Sequence, residues 1–461
     1  MVKNFLKIGI YMVALAMLPM GMTSCSDDDD DEVVENSSDD ETTEEEEEEE
    51  EEEETTDTYT LRTQALLEVI DVYINDVVYP TYTNLANYTT VLYENLVTMQ
   101  ENLAAGTLTQ DDIDTACENF LEARAYWEKS EAWLYGPADV LGIDPHIDTW
   151  PLDRDELADL LATDALRANL EGDIEDAIVY ISEENGEVSH LGFHGVEFIL
   201  FRNGENRTVE DFEGYETDDA FDANTVTGAY ELSFAVAVAG DLRDWTSLLE
   251  YSWMGSAASS DHIARCTTRG FQVLLDGYDN YYGEEMLLTG SSEYFQTPRY
   301  TVSAILIDGC SNICAEVADQ KMGQPYRAAA GTATSEETSD EEYVGKEYIE
   351  SPYSHKSFTD FYDNITSIKN ALYGNIDEDT AESNSIMAYL ESENSSLATE
   401  LQDALDAALD ALDDCVNYSL AFVTIINSND STGMSLVQAA MDAVTTLDET
   451  LSEANNWITV N

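Results

Sequence analysis

The chain has 461 residues and carries 97 Asp and Glu against 18 Lys and Arg, which gives a formal net charge of −79. This balance excludes a nucleic-acid binder, because phosphate contacts need a basic surface. It also disfavours docking on anionic lipids through a basic patch. Residues 27–57 hold 22 of the acids, so residues 58–461 keep 75 acids against 16 bases. Since 43% of the chain is hydrophobic, this second part is expected to fold.

The N-terminus has the pattern of a lipoprotein signal peptide. Lys3 and Lys7 precede an apolar run over residues 8–22, which is short for a membrane-spanning helix but typical of a secretory signal. The run ends in Met-Thr-Ser before Cys25, which resembles a bacterial lipobox, although a plain signal peptide with an incidental cysteine would look similar. We predict a signal peptide over residues 1–24 and a lipidated Cys25 as the membrane anchor.

An acidic segment follows the predicted anchor. The acids at 27–32 resemble the export tag of Bacteroidetes surface lipoproteins, and a solvated spacer is the simpler interpretation. Charge repulsion should keep residues 25–57 extended and disordered as a tether. The sequence therefore predicts an outer-membrane lipoprotein at the cell surface, with the periplasmic face as the alternative.

Helical periodicity dominates the remainder. Thr109 and Asp112 resemble a capping box in front of an apolar stripe. Long proline-free tracts with apolar spacings of three and four, and few alternating patterns, predict an all-α fold. Helices are expected near residues 60–79, 82–104, 109–131, 154–166, 173–183, 194–203, 225–252, 258–280, 300–320, 356–372, 383–392, 397–420 and 437–451.

Two long segments lack helical periodicity, at 135–153 and 321–355, and such segments inside helical domains are often functional. A polar stretch between about 205 and 225 marks a soft boundary. We therefore predict one folded unit over residues 58–458, made of two helical-bundle subdomains at about 58–210 and 220–458.

The first candidate site is the sequence Gly192-Phe-His194-Gly-Val-Glu197. If a helix begins near Gly192, the imidazole and the carboxylate lie one turn apart on the same face and could share a metal ion. A zincin helix would need two histidines flanking the glutamate and a third ligand. A buried His–Glu pair without a ligand is the structural alternative.

The second candidate site is the segment 131–153, where acids and a histidine alternate with Pro, Ile and Trp. Glu131, Asp144, Asp148 and Trp150 could line one wall of a pocket. The alternative is a stiff loop whose acids cap neighbouring helices.

Together these segments resemble the imelysin-like family, which is marked by a GxHxxE motif, here Gly192, His194 and Glu197. The segment 351–364, with Ser354 and Asn364, is similar to a serine- and asparagine-bearing segment of that family. The resemblance covers roughly residues 60–458. It implies two related helical bundles with the site in the cleft between them, and a role in bacterial iron acquisition. The family is also grouped with metallopeptidases.

The leading hypothesis is a surface lipoprotein that binds a ligand for iron or haem uptake. His194 and Glu197 would bind a divalent metal (iron or zinc) or haem, and an outer-membrane transporter would be a partner. Carboxylates with one imidazole suit iron, manganese or zinc better than copper. A metallopeptidase using the same motif and a glycan-binding surface lipoprotein are the alternatives. Hydrolysis would need a third ligand and a base that the sequence does not identify.

Other residues are expected to be structural. The cysteines beyond Cys25 lack a CxxC pair and should be buried thiols. His262 is expected at the surface or as a helix cap.

Overall fold

Helices make up most of the chain in a computed structural model of the protein. Contacts group Thr58–Asn461 into one compact unit. The predicted signal peptide, Cys25 and the acidic tether lie outside the described residues, so these assignments stay predictions. The structure describes residues 60–184, 189–335, 337–339, 343–376 and 378–461.

The first part of the fold starts with a helical stretch over residues 60–72, which runs through a π-helical segment, Tyr73–Val78, into a long helix. Thr109 and Asp112 form the predicted capping box at the start of the next helix. Further single turns occur at Glu131–Trp133 and Tyr180–Glu184. The α-helices here are α1 (Tyr79–Ala105), α2 (Gln110–Glu128), α3 (Pro137–Val140), α4 (Ile143–Ile147), α5 (Arg154–Leu161), α6 (Asp164–Leu170), α7 (Ile174–Val179), α8 (Gly192–Leu200) and α9 (Val209–Glu213).

The second part is also helical. The π-helical segments Ala304–Ser311 and Glu316–Lys321 interrupt one long helical stretch, and short 3₁₀ turns occur at Glu337–Ser339 and Gly345–Glu347. The α-helices are α10 (Gly228–Met254), α11 (Ser260–Arg269), α12 (Tyr282–Leu287), α13 (Pro298–Ser303), α14 (Asn312–Ala315), α15 (Gly323–Ala330), α16 (Ser357–Tyr373), α17 (Ile386–Glu393), α18 (Ser395–Val416), α19 (Phe422–Ser428) and α20 (Ser431–Val460).

Strands are rare in the described part of the chain. β1 (Phe201–Arg202) and β2 (Glu205–Asn206) form an antiparallel hairpin directly after α8. Its turn is Asn203-Gly204, and both residues have positive φ, as a tight hairpin turn requires. The predicted all-α class is confirmed.

Long helices pack side by side around the core. α10 lies along α1 and also contacts α8 and α11, while α18 pairs with α20. α16 contacts both α2 and α18 and so links the two groups. Small residues allow the close packing of α10, because a Cβ at Gly240 would lie 2.4 Å from Ile178 Cδ1. The predicted subdomain boundary stays a prediction, and α10, which follows it, packs along α1, which precedes it.

Several predicted boundaries differ from the structure. The helices predicted at 60–79 and 82–104 form one continuous helical stretch, and the helix predicted at 154–166 is divided into α5 and α6. The helix expected over residues 258–280 ends at Arg269, because Gly270 adopts the left-handed conformation with φ 71°. The segment 135–153, expected to be irregular, contains the short helices α3 and α4. The segment expected to be irregular from residue 321 is helical as far as Ala330, and Gly331 ends it in the same left-handed conformation.

Among the described residues, the helical stretch Pro298–Ala330 is long and apolar enough to cross a membrane, although the sequence predicted no such stretch beyond the signal peptide. Its apolar window has a mean hydropathy of 1.3 and is 56% buried by the rest of the protein. Its segments pack against α20, as those of a core helix do.

The cysteines are buried thiols, as predicted. None of those in the described residues forms a disulfide: Cys117, Cys266, Cys310, Cys314 and Cys415.

Candidate functional site

The start of α8 is built on a glycine that no other residue could replace without strain. Gly192 has a φ of 60°, and a Cβ there would lie 1.9 Å from the carbonyl oxygen of Ile147. The next glycine of the motif, Gly195, would place a Cβ 2.3 Å from the carbonyl oxygen of His190. Both contacts are with backbone, which cannot move aside easily. Gly192 therefore allows α8 to approach the end of α4, which precedes Asp148, and Gly195 allows α8 to lie close to the backbone of His190.

His194 lies buried between two carboxylates. Its Nδ1 is 3.4 Å from Glu197 Oε2, and its Nε2 is 3.2 Å from Asp148 Oδ1 without the geometry of a hydrogen bond. Burial alone would lower the pKa of His194, but its contacts with Asp148 and Glu197 outweigh burial and raise the pKa to about 9. The imidazole therefore carries a proton at neutral pH when no metal displaces it.

Glu197 is fixed by the segment in front of α16. Its Oε1 accepts hydrogen bonds from Ser354 Oγ at 2.7 Å, from the Ser354 backbone N–H at 2.8 Å and from the Tyr353 N–H at 3.1 Å. The segment is strained to reach it, since Ser351 and His355 have φ values of 50° and 61°. Ser354 and Glu197, both named from the sequence, are therefore in direct contact.

Asp148 joins α8 to α2. Its Oδ2 accepts a hydrogen bond from Trp127 Nε1 at 2.7 Å, and its Oδ1 pairs with the guanidinium of Arg124. Burial alone would raise the pKa of Asp148, but Arg124 and His194 outweigh burial and hold the pKa well below its usual range. Asp148 is therefore a permanent carboxylate between the two positive groups.

Arg124 also contacts three further acidic side chains. Its Nη2 lies 2.5 Å from Glu128 Oε1 and 2.7 Å from Glu350 Oε1, and its Nε lies 3.9 Å from Asp360 Oδ2. The surrounding carboxylates keep the guanidinium charged although it is almost fully buried.

Lys321 occupies the far end of the cluster. Its Nζ donates to Glu131 Oε2 at 3.0 Å, to Glu350 Oε1 at 3.3 Å and to Asn364 Oδ1 at 3.3 Å. Asn364 in turn donates from Nδ2 to Glu128 Oε2 at 2.6 Å. Lys321 thus connects Glu131 and Asn364, two residues that the sequence predicted to bind a ligand, to the rest of the cluster.

Carboxyl groups outnumber the cationic side chains in this buried cluster. Burial raises the pKa of Glu128 and Glu131 well above the usual range and that of Asp360 to about 7, so these carboxyl groups hold protons more readily than exposed ones do. A metal ion bound among them would displace such protons, because it stabilises the ionised carboxylates. Two permanent cations, Arg124 and Lys321, face six carboxylates that are at most 7% exposed: Glu128, Glu131, Asp148, Glu197, Glu350 and Asp360.

Two overlapping groups of side chains could hold a metal ion. In the first, ligand atoms of Asp148, His194 and Glu350 all lie within 4.8 Å of one another. In the second, the same limit holds for oxygens of Glu128, Glu131, Asp148 and Glu350. Glu350 Oε2 is buried and has no hydrogen-bond partner among the described residues. The first group combines carboxylate oxygens of Asp148 and Glu350 with an imidazole nitrogen, so it fits a divalent transition metal.

Two predicted site residues lie at the margin. Asp144 is half-buried, and burial together with Asp148 raises its pKa to about 8. Trp150 is also half-buried, with its ring 4.1 Å from that of Tyr348. Their roles in binding stay predictions, as does the lipidation of Cys25, which lies outside the described residues.

The sequence analysis missed residues that complete the cluster. Arg124 lies on the apolar face of α2, between Phe120 and Trp127, and a charged residue on a buried stripe was a readable signal. Lys321 gave a similar signal beside buried Val317 and Met322. The remaining missed residues are Glu128, Glu350 and Asp360.

The expectation for His262 was wrong. Its side chain is buried, and Nδ1 lies 2.6 Å from Glu250 Oε2 on α10, because α11 folds back against α10. His146 is likewise buried and paired, with Nε2 2.6 Å from Asp241 Oδ2.

Comparison with known proteins gives consistent matches. The family model described as imelysin, Peptidase_M75, matches residues 78–451. Iron-regulated protein A of Synechococcus elongatus is 32% identical over 142 residues, which are 30% of this chain and 33% of the relative. The match thus spans about a third of that relative's length.

Two solved structures share the fold. A protein of Parabacteroides distasonis ATCC 8503, described as an iron-regulated protein A precursor, has a TM-score of 0.65 at 24% identity, over 86% of this chain and 95% of that one. An imelysin-like protein of Psychrobacter arcticum 273-4 has a TM-score of 0.52 at 15% identity, over 84% and 93%.

Proposed function

Because the chain belongs to the imelysin family, we propose that it is a metal-binding protein of iron acquisition that holds one divalent ion on Asp148, His194 and Glu350. The convergence of Glu350, which has a buried oxygen without a hydrogen-bond partner among the described residues, with His194 and Asp148 carries this proposal. Two carboxylates and an imidazole suit ferrous iron, manganese or zinc. The name of the Synechococcus relative supports iron as the cargo.

Glu197 would not bind the ion directly but would hold the imidazole of His194, which binds it. Its Oε1 accepts three hydrogen bonds, and its Oε2 faces His194 Nδ1. A carboxylate in this position orients the imidazole so that Nε2 points to Asp148, as carboxylates behind metal-binding histidines do. The motif therefore supplies one ligand and its positioning residue.

A bare ion suits the site better than haem. The six carboxylates around Arg124 and Lys321 are packed against each other and are at most 7% exposed. A haem needs a wide apolar pocket with axial ligands, whereas these residues present charge at close range.

The test is metal binding by the purified chain. Anaerobic equilibrium dialysis against Fe²⁺, Mn²⁺ or Zn²⁺ should give one ion per chain, and His194→Ala should weaken affinity by at least about 10- to 100-fold. His262→Ala is the matched control, because it removes another buried histidine paired with a glutamate. Absence of binding, or equal loss in both variants, would overturn the proposal.

Hydrolytic chemistry receives little support from this geometry. The obvious base, Glu197, is engaged on both oxygens and cannot readily take a proton from water. We therefore expect no chelator-sensitive cleavage of an unfolded protein at micromolar concentration. Cleavage that His194→Ala abolishes would establish the peptidase alternative.

A glycan-binding protein would need exposed aromatic rings on which a sugar can stack, but the tyrosines near residues 278–294 pack against other aromatic rings. The rings of Tyr278 and Tyr294 stack at 3.8 Å, and Tyr282 is buried against Trp253. Such contacts stabilise the fold, so a glycan-binding role gains no support from these residues.

The location of the protein forms part of the proposal. A lipid on Cys25 would hold the compact unit Thr58–Asn461 at the outer membrane through the acidic segment, with an outer-membrane transporter receiving the ion. Incorporation of labelled fatty acid, lost in Cys25→Ala, tests the anchor. Protease access on intact cells tests whether the protein faces outward.

A further inference from the structure

Lys321 sits where the second group of metal-ligand side chains converges. Its Nζ lies 3.0 Å from Glu131, 3.3 Å from Glu350 and 3.9 Å from Glu128. These are three of the four acids that could together hold an ion, and Asn364 Oδ1 adds a fourth oxygen at 3.3 Å. An ammonium group is therefore surrounded by oxygens in the way that a metal ion would be.

The distances around Nζ are those of hydrogen bonds and ion pairs and are longer than metal–oxygen bonds. Glu131 lies within the usual hydrogen-bond range of about 2.7–3.2 Å, and Glu350 and Asn364, at 3.3 Å, lie just beyond it. Oxygens approach Mn²⁺-sized ions to roughly 2.0–2.3 Å. Lysine is also the cation best suited to this place, since it is a compact charge with three donors on a flexible stem. The oxygens around Nζ thus enclose a cation that belongs to the protein itself. We call this arrangement the cage, and its oxygens come from Glu128, Glu131, Glu350 and Asn364.

The cage shares its ligands with the proposed metal site. Glu350 belongs to both groups: its Oε1 contacts Lys321, while its Oε2 has no hydrogen-bond partner among the described residues. Asp148 also belongs to both groups. Two metal ions bridged by these carboxylates would resemble the dinuclear carboxylate centres found in other helical bundles.

We propose that the ammonium group of Lys321 takes the place of a second metal ion, so that it limits the site to one ion. The proposal rests on the proposed function for the first ion. Lys321 is in this sense a specificity-determining residue, because it converts a two-metal ligand set into a one-metal site.

The hydrogen bonds of Lys321 agree with this assignment. Its ammonium group donates to Glu131 and Glu350 inside the protein. Loss of the ammonium would remove these donors, and a buried polar group without a partner is unfavourable. A second divalent ion is the simplest replacement, because the ligands are already in place.

The experiment measures how many Mn²⁺ ions each chain binds. Methionine is one atom shorter than lysine and leaves the Nζ position open, so Lys321→Met should raise the stoichiometry from one ion to two. Lys129→Met is the matched control, because it also removes a lysine paired with an acid, Asp363 at 3.5 Å, on a more exposed site. It should keep one ion.

A second measurement tests whether the two ions share carboxylate ligands. Two Mn²⁺ ions joined by shared carboxylates are magnetically coupled, so the six-line electron paramagnetic resonance signal of the single ion should broaden or weaken in Lys321→Met. Adding Glu131→Gln to that variant should restore one ion and the single-ion spectrum. A variant that still binds one uncoupled ion would overturn the proposal.

The two proposals fail in distinguishable ways. If the wild-type chain binds no ion while Lys321→Met binds one, the site on His194 is wrong and the cage around Lys321 is supported. If both bind one ion, the site on His194 stands and the role of Lys321 is wrong. Should Lys321→Met be poorly folded by circular dichroism, Lys321→Gln keeps a polar group in the cage and answers the same question.

Discussion

Asp148 Oδ1 lies 3.2 Å from His194 Nε2, and the same oxygen pairs with the guanidinium of Arg124. One carboxylate thus contacts both the histidine of α8 and the arginine of α2. Because both positive groups favour its ionised form, Asp148 contributes to stability as well as to the proposed metal site.

We therefore expect Asp148→Asn to destabilise the metal-free protein by about 3 kcal/mol, because it breaks a buried ion pair and leaves Arg124 less compensated. Urea unfolding with a chelator present measures this loss. The control is Asp379→Asn, which breaks an exposed pair with Lys369 and should leave the unfolding midpoint unchanged. Equal stability of wild type and Asp148→Asn would contradict the prediction.

A second prediction concerns the glycine that starts α8. Gly192→Ala should cost at least about 2 kcal/mol more than Gly106→Ala, because overpacking against backbone adds to the cost of a positive φ. Gly106 is a matched control, since its φ is 69° but a Cβ there would meet nothing within 4 Å. Thermal and urea unfolding of both variants give the comparison, and equal losses would show that the Ile147 contact is unimportant.

Some features of this fold can be predicted from local sequence patterns. The helical class, the cap at Thr109 and the start of α8 follow from local spacing and from residue chemistry. The helix expected over residues 258–280 ends at Arg269 because Gly270 adopts the left-handed conformation, and a glycine at such a place is a helix-stop signal that the sequence contains. Such local signals were readable.

The charged cluster was harder to predict. Arg124, Lys321 and Glu350 come from separate segments, and they meet only because α2, α16 and the π-helical segment Glu316–Lys321 pack together. A charge among buried apolar neighbours marks Arg124 and Lys321 locally, but it does not identify their partners. Their pairing depends on tertiary packing, which no local pattern encodes.

A third prediction tests the hydrogen bond that Ser354 donates to Glu197. Ser354→Ala should cost about 1.5–3 kcal/mol, because it removes a hydrogen bond to a buried carboxylate. It should also weaken Mn²⁺ binding, since Glu197 positions His194. Ser435→Ala is the control, as it removes only an exposed hydroxyl bonded within α20. Unchanged affinity in Ser354→Ala would separate Glu197 from the metal site.

A fourth prediction concerns thiol reactivity. Burial raises the pKa of Cys266, Cys310 and Cys415 to about 12, so little reactive thiolate exists at neutral pH. In a Cys25→Ser chain, a disulfide reagent should label no thiol rapidly in the native state and five in urea. Rapid labelling of one or more thiols without unfolding would contradict their burial.

The last prediction concerns His190, the residue whose carbonyl oxygen contacts α8. Burial lowers the pKa of His190 to about 4, while the unfolded chain should have the ordinary value near 6.5. Between these values the unfolded state binds more protons than the folded state, so stability should fall as the pH falls from about 6.5 to 4. The loss amounts to at most about 3 kcal/mol. His190→Asn should flatten this part of the curve, whatever its effect at pH 8, because asparagine does not titrate. Carboxylates titrate in both proteins, so the difference between the two urea-unfolding curves isolates the histidine. Parallel curves would show that His190 is not buried in its neutral form.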